Sequence, residues 1–126
     1  MAAALLNQGK TAIRDSLKTL ISNVGVSTDA TAFAATQTTL NPSGTGTNLI
    51  KAATKTDVDT FTFDATITID GTTEFTGLSI MTIGALNGAL ATNALSRSVR
   101  GAGLGIGVQA GDSFTIGVRA QVQDNS

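Results

Sequence analysis

Apolar and polar residues alternate most clearly in the middle of the chain. Between 61 and 69 every odd position is apolar, Phe63 and Ile67 among them, and every even position is Thr or Asp. Because successive side chains of a strand point to opposite faces, this run predicts a strand with one buried and one solvated face. Asp70 and Gly71 then predict a turn.

Further strands are predicted on both sides of this run. The even positions between 114 and 122 are apolar, and the preceding run at 101–108 alternates Gly with apolar residues. A turn at 111–112 predicts a hairpin between these two segments. The apolar run at 75–83 is typical of a strand that is covered on both sides, and 23–26 predicts a short strand. The fold class that we predict is a mainly β, antiparallel β-sandwich of jelly-roll-like form.

The first 21 residues have the spacing of an amphipathic helix. Apolar residues recur at steps of three and four and therefore collect on one stripe: Leu5, Leu6, Ile13, Leu17, Leu20 and Ile21. A stripe of this width suits a helix that lies across a sheet of its own domain, or one that lies on a neighbouring subunit.

A long polar segment separates the helical region from the alternating strands. Residues 27–47 are rich in Thr, Ala, Ser, Asn and Gly and contain the single proline, Pro42. Such a composition buries little apolar surface, so the segment predicts a long extended arm or loop, which is usually functional or ordered by a partner. A chain of 126 residues suits one domain, with a helix at 1–21, the arm at 27–47 and the sandwich at 48–126.

Composition excludes several classes of function. The chain contains no Cys, His, Trp or Tyr, which excludes disulfides, zinc sites built from Cys and His, and Ser-His-Asp catalysis. A formal charge of -1 argues against a nucleic-acid binder that neutralises phosphates. No stretch approaches the roughly 18 consecutive apolar residues of a membrane span, and no export signal is expected at the start.

The acidic residues give little support for catalysis or metal binding. Asp64 and Asp70 are predicted on a solvated strand face about 20 Å apart, without the cleft that paired catalytic carboxyls need. The residues at 57–59 together with Asp29 do not match the spacing of a calcium-binding EF-hand loop. We therefore predict that the chain is not an enzyme and that it holds no cofactor and no metal.

Two other candidate sites also have simpler structural explanations. The glycine run at 101–107 lacks the Lys-Ser/Thr of a phosphate-binding loop, so close approach of another backbone explains it better. Arg97 and Arg100 beside Ser96 and Ser98 are predicted to form surface ion pairs of small value. The 21 Thr residues instead favour flat faces of low charge, which suit broad contact with another protein.

Five short segments of the chain occur in an order that is similar to that in a known group of proteins. The segments that carry the similarity are 24–40, 61–63, 76–80, 94–99 and 110–116. In this order they resemble small structural proteins of tailed bacteriophages, which decorate the head (cement proteins) or associate with the tail. The resemblance covers most of residues 20–122, and the family has no catalytic residues to transfer.

This resemblance implies a non-enzymatic virion protein made in the host cytoplasm. Its leading form is a capsid decoration protein on the capsid surface, which binds the major capsid protein lattice and neighbouring copies of itself as a dimer or trimer. No nucleic acid or membrane is an expected partner. A tail, baseplate or fibre-associated protein is the alternative. A carbohydrate-binding sandwich module is disfavoured because such modules use Trp or Tyr as platforms.

The helix and the arm are the segments that we expect to contact these partners. A helix stripe and a polar arm can both become ordered on a neighbouring protein. The predicted contact residues are Leu5, Leu6, Ile13, Leu17, Phe33, Leu40, Pro42 and Leu49.

Overall fold

The computed structural model describes residues 6–101 and 103–123. Within these residues one α-helix, α1 (Asn7–Leu20), precedes nine strands. The strands are β1 (Asn23–Ser27), β2 (Asn48–Ala52), β3 (Thr54–Asp59), β4 (Thr62–Asp70), β5 (Ser79–Ile80), β6 (Thr82–Leu86), β7 (Ser98–Val99), β8 (Ile106–Gly107) and β9 (Ser113–Gln121). A short 3-10 helix, Ala91–Asn93, lies between β6 and β7.

The clearest predicted strand is confirmed as β4, which lies between β3 and β9 in an antiparallel sheet. Its apolar positions Phe63, Ala65, Ile67 and Ile69 are buried. Strand β9 runs opposite β4 over its whole length, so that Ile67 faces Ile116. Apolar side chains of both strands therefore point to one side of this sheet, as their alternation predicts.

A second antiparallel sheet, in the order β2-β1-β6-β7, covers that apolar face. Val24 and Val26 of β1 join Phe63 and Ile69 of β4 in one buried cluster. Strands β5 and β8 form a separate short pair. The predicted fold class, a mainly β antiparallel sandwich with an N-terminal helix, is confirmed.

Helix α1 lies on its own chain beside β3. Lys18 Nζ is 2.8 Å from Asp57 Oδ1, and Arg14 Nη1 donates a hydrogen bond to the carbonyl oxygen of Asp59. Leu17 packs against the core cluster, although no residue of the helix is fully buried. The contacts agree with the predicted helix that lies on a sheet of its own domain.

The segment at 28–47, here called the β1–β2 loop, contains neither helix nor strand, as predicted. It does not extend away from the domain, because Leu40 has no solvent-exposed surface. Since Val24 and Val26 face the core, strand alternation places Gly25 on the outer face of the sheet. The loop covers this outer face and forms a third layer, so the arm prediction is wrong in this respect.

Two glycines explain why Leu40 fits there. Gly25 of β1 lies directly opposite Gly84 of β6. A Cβ atom at Gly25 or Gly84 would lie 2.7 or 2.8 Å from a methyl carbon of Leu40, which is closer than ordinary packing allows. The paired glycines thus leave a hollow that Leu40 fills. Because β1 is part of this sheet, the sandwich begins before the predicted boundary at residue 48.

The predicted hairpin between 101–108 and the last strand is wrong. Strand β8 pairs with β5, whereas β9 pairs with β4. A strand that alternates with glycine offers few side chains for packing, whereas β4 offers a nine-residue partner with a continuous apolar face. The predicted strand at 75–83 is also divided, since Phe75 adopts a φ of 58° and β5 and β6 are separate strands.

Candidate functional site

Arg97 lies between the 3-10 helix and β7, and only 3% of its side chain is exposed. Its guanidinium donates to the carbonyl oxygens of Thr31 (2.6 Å) and Leu40 (3.3 Å) and to the Gln37 side-chain oxygen (3.1 Å). It also donates to Thr82 Oγ1 of β6 at 3.2 Å. Arg97 therefore ties the β1–β2 loop to the sheet, and the prediction that it forms surface ion pairs is wrong.

Asp29, near the start of the loop, is the acidic partner of Arg97. Its Oδ1 lies 3.4 Å from Arg97 Nη2. The two carboxylate oxygens accept hydrogen bonds from the backbone N–H groups of Thr31 (2.7 Å) and Ser43 (2.8 Å). Burial raises the pKa of Asp29, but these hydrogen bonds outweigh it and leave the pKa well below its usual range. The charged pair thus holds both the beginning and the later part of the loop.

We expect Asp29→Asn to reduce the dependence of stability on acid pH. Because the pKa of Asp29 is lower in the folded chain, ionised Asp29 stabilises the fold fully above the unfolded pKa of about 3.8. That contribution is lost as the pH falls below this value toward the folded pKa. Urea unfolding between pH 7 and pH 2.5 measures the effect, and the wild-type chain should lose more stability than the variant. Equal losses of stability in the two proteins would contradict a lowered pKa of Asp29 in the folded chain.

The fixed loop forms one wall of a surface groove, and the segment at 94–97 forms the other. Hydrogen bonds join the two sides, from Ala94 N–H to the Thr38 carbonyl and from Leu40 N–H to the Ala91 carbonyl. The groove has a volume of about 170 Å³. Small, apolar and uncharged polar residues with one arginine line it: Phe33, Ala34, Ala35, Gln37, Thr39, Ala94, Leu95, Ser96 and Arg97.

Two large apolar side chains are exposed at this groove, which carries little charge. Phe33 is 63% exposed and Leu95 is 49% exposed. Among the lining residues that the structure describes, Arg97 is the charged one, and its guanidinium bonds to the protein interior. Exposed apolar side chains that are held by a rigid framework are typical of a surface that binds another molecule.

The structure separates the contact residues predicted on the helix. Leu5 lies outside the described residues. Leu6 and Ile13 are exposed, whereas Leu17 is half-buried against the core. Leu6, Ile13 and Leu17 do not line the groove, and α1 contacts the edge strand β3 of the other sheet.

The contact residues predicted beyond the helix also have different environments. Phe33 lies in the groove and is exposed. The prediction that Leu40 contacts a partner is wrong, because this side chain is completely buried within its own chain and offers no surface to a partner. Pro42 is half-buried in a turn, and Leu49 of β2 is half-buried against the core. Phe33 is thus the predicted residue that belongs to the groove.

Other carboxylates in the described part of the chain are held in separate ion pairs and turns. Asp64 accepts two hydrogen bonds from Arg119, at 2.8 and 3.1 Å, which lower the pKa of this carboxyl. The ammonium group of Lys18 lowers the pKa of Asp57 in the same way. Within residues 6–101 and 103–123, no group of three acidic side chains gathers to hold a metal ion. None of the helices in these ranges has the length and hydropathy needed to span a bilayer.

Comparison of the chain with protein-family models, with curated protein sequences and with solved structures finds no match. A proposal for the function therefore depends on the fold, on the groove and on the order of the sequence segments.

Proposed function

We propose that this chain is a non-enzymatic structural protein of a bacteriophage virion, which decorates the capsid by binding the major capsid protein lattice and thereby stabilises the shell. The observation that carries the proposal is the groove in which Phe33 and Leu95 are exposed, one on each wall, with the two walls joined by the buried ion pair of Asp29 and Arg97. The order of the sequence segments resembles that of phage decoration and tail proteins. This resemblance is the reason for proposing a virion protein as the partner.

Rigidity of the loop favours a binding role. A loop that becomes ordered only on contact loses conformational entropy at that moment, which weakens association. Here Arg97 and Asp29 hold the loop before any partner arrives. Phe33 and Leu95 are therefore presented in place, and their burial contributes directly to affinity.

The low charge of the groove favours a partner that is a folded protein. Burying an unpaired charge is costly, whereas burying apolar side chains is favourable at about 25 cal/mol per Å². An apolar side chain from a neighbouring protein fits a groove of about 170 Å³ lined by Ala and Thr. Repeated on many copies, such a contact adds stability to a shell without any chemical reaction.

Binding of purified protein to capsids of the encoding phage tests this proposal. We expect the double variant Phe33→Asp, Leu95→Asp to bind at least about 30-fold more weakly, because buried apolar anchors dominate interface energies. The double variant Leu90→Asp, Leu104→Asp is the matched control, since both leucines are exposed and neither lines the groove. Circular dichroism checks that each variant is folded, and co-sedimentation measures binding.

Each outcome of this experiment is informative. Failure of the wild-type chain to bind any phage particle would overturn the virion role. Binding to purified tails but not to capsids would replace decoration by a tail role. Wild-type affinity in the groove variant would remove the groove from the contact surface, even if the capsid role held.

A further inference from the structure

Strand β9 is hydrogen-bonded along one side only. It pairs with β4 from Ser113 to Gln121, and among the residues that the structure describes no other strand pairs with it. A strand at the edge of a sheet presents a row of unpaired N–H and C=O groups, which form a template for another strand. At nine residues, this edge extends for about 30 Å.

The register identifies which backbone groups point outward. Val122, the residue after β9, donates its N–H to the carbonyl oxygen of Phe61. This hydrogen bond continues the β4–β9 pairing one residue beyond the pair of Thr62 and Gln121. Because hydrogen-bonded and non-hydrogen-bonded pairs alternate, the even-numbered residues of β9 bond to β4 and the odd-numbered residues point away. In the described part of the chain, no other backbone group bonds to these outward N–H and C=O groups.

The other long edge of the sandwich has features that discourage pairing, and β9 lacks them. Strand β3 carries a register shift between Asp57 and Asp59, and α1 contacts it. Strand β9 contains no proline and pairs with β4 without a register shift. Its charged residue, Arg119, is paired with Asp64 but stays largely exposed. Protein edges usually avoid association through bulges, prolines or unpaired charges.

We propose that β9 pairs antiparallel with β9 of a second copy of this chain, about a two-fold axis at Gly117. This register places Ser113 opposite Gln121 and Thr115 opposite Arg119. The outward groups then form about ten backbone hydrogen bonds across the axis. The two three-stranded sheets become one sheet of six strands.

Self-complementarity identifies a second copy as the occupant. In this register no two like charges face each other, because Arg119 lies opposite Thr115. The pairing also keeps Ile116 and Val118 of both copies on the face that packs against the core. A groove of about 360 Å³ between Ser98 and β9 lies beside this edge and gives space to the apolar side chains of the added strand.

Oppositely charged substitutions at Thr115 test the interface and its register. Thr115→Lys places a like charge opposite Arg119 twice in the dimer, whereas Thr115→Glu places an opposite charge there twice. Both variants equally remove the exposed hydroxyl contact of Thr115 with Thr68, so they are matched for the fold. We expect at least about a tenfold difference in dimer dissociation constant, with the Lys variant weaker. Sedimentation velocity across protein concentrations measures it.

Amide hydrogen exchange gives a second, independent readout on the wild-type chain. Raising the protein concentration should slow exchange at Thr115, Gly117 and Arg119, while Ile116 and Val118 stay protected by β4 at every concentration. A wild-type chain that stays monomeric at about 100 µM would overturn the proposal, as would equal dissociation constants for the two charge variants. Both measurements use isolated protein, so their outcome is separate from that of the capsid-binding test.

Discussion

Replacing Arg97 by methionine is expected to lower the free energy of unfolding by about 3–5 kcal/mol, the range found when one partner of a buried ion pair is removed. The variant leaves the Asp29 carboxylate buried without its cation. It also leaves the carbonyl oxygens of Thr31 and Leu40 without their guanidinium donor. Urea unfolding at pH 7, followed by circular dichroism, measures the change.

Two further variants isolate the contribution of the ion pair. In Arg97→Met combined with Asp29→Asn, no buried charge remains unpaired, so the double variant should lose less stability than the sum of the single variants. Arg100→Met is the control, because Arg100 is exposed and such surface changes are usually small. A loss below about 1 kcal/mol in Arg97→Met would contradict the role assigned to the pair.

Shortening Leu40 to alanine is expected to destabilise the protein by about 2–5 kcal/mol, as for other fully buried leucines. The leucine methyl groups fill the hollow above Gly25 and Gly84, and backbone glycines have no side chain that moves to refill it. Urea unfolding measures the loss. Leu104→Ala removes the same atoms from an exposed position and should change stability by less than about 0.5 kcal/mol. Equal effects in the two variants would show that the loop is not part of the cooperative core.

The elements that follow from local pattern were predictable from the sequence. Strand β4 alternates strictly, and β9 alternates along its whole length, so their buried faces follow from the period of two. Pairing between strands was less predictable. The turn at 111–112 suggested a local hairpin, whereas β9 pairs with β4 about 50 residues away. Sequence distance favours the local partner, but the apolar surface that is buried decides which pair forms.

The groove was predictable only in part. Phe33 stood out as an aromatic residue within a polar segment, whereas Leu95 lies in the other wall, which only the fold brings near. Burial of Arg97 had no local signal, because its partner Asp29 lies 68 residues earlier. The glycine between two valines in β1 did carry information, since a glycine inside a strand often marks the close approach of another segment. The structure shows that the approaching segment is the loop at Leu40, which the glycine alone does not identify.

The long sequence separations between paired strands affect how the protein is made. The sheet that contains β1 and β6 is complete only when Val99 has left the ribosome, and the sheet that contains β4 and β9 only when Gln121 has. Until then the growing polypeptide leaves Phe63 and Ile69 exposed to solvent. Because pairing between distant strands is slow, this topology prolongs the time for which apolar surface is open to aggregation.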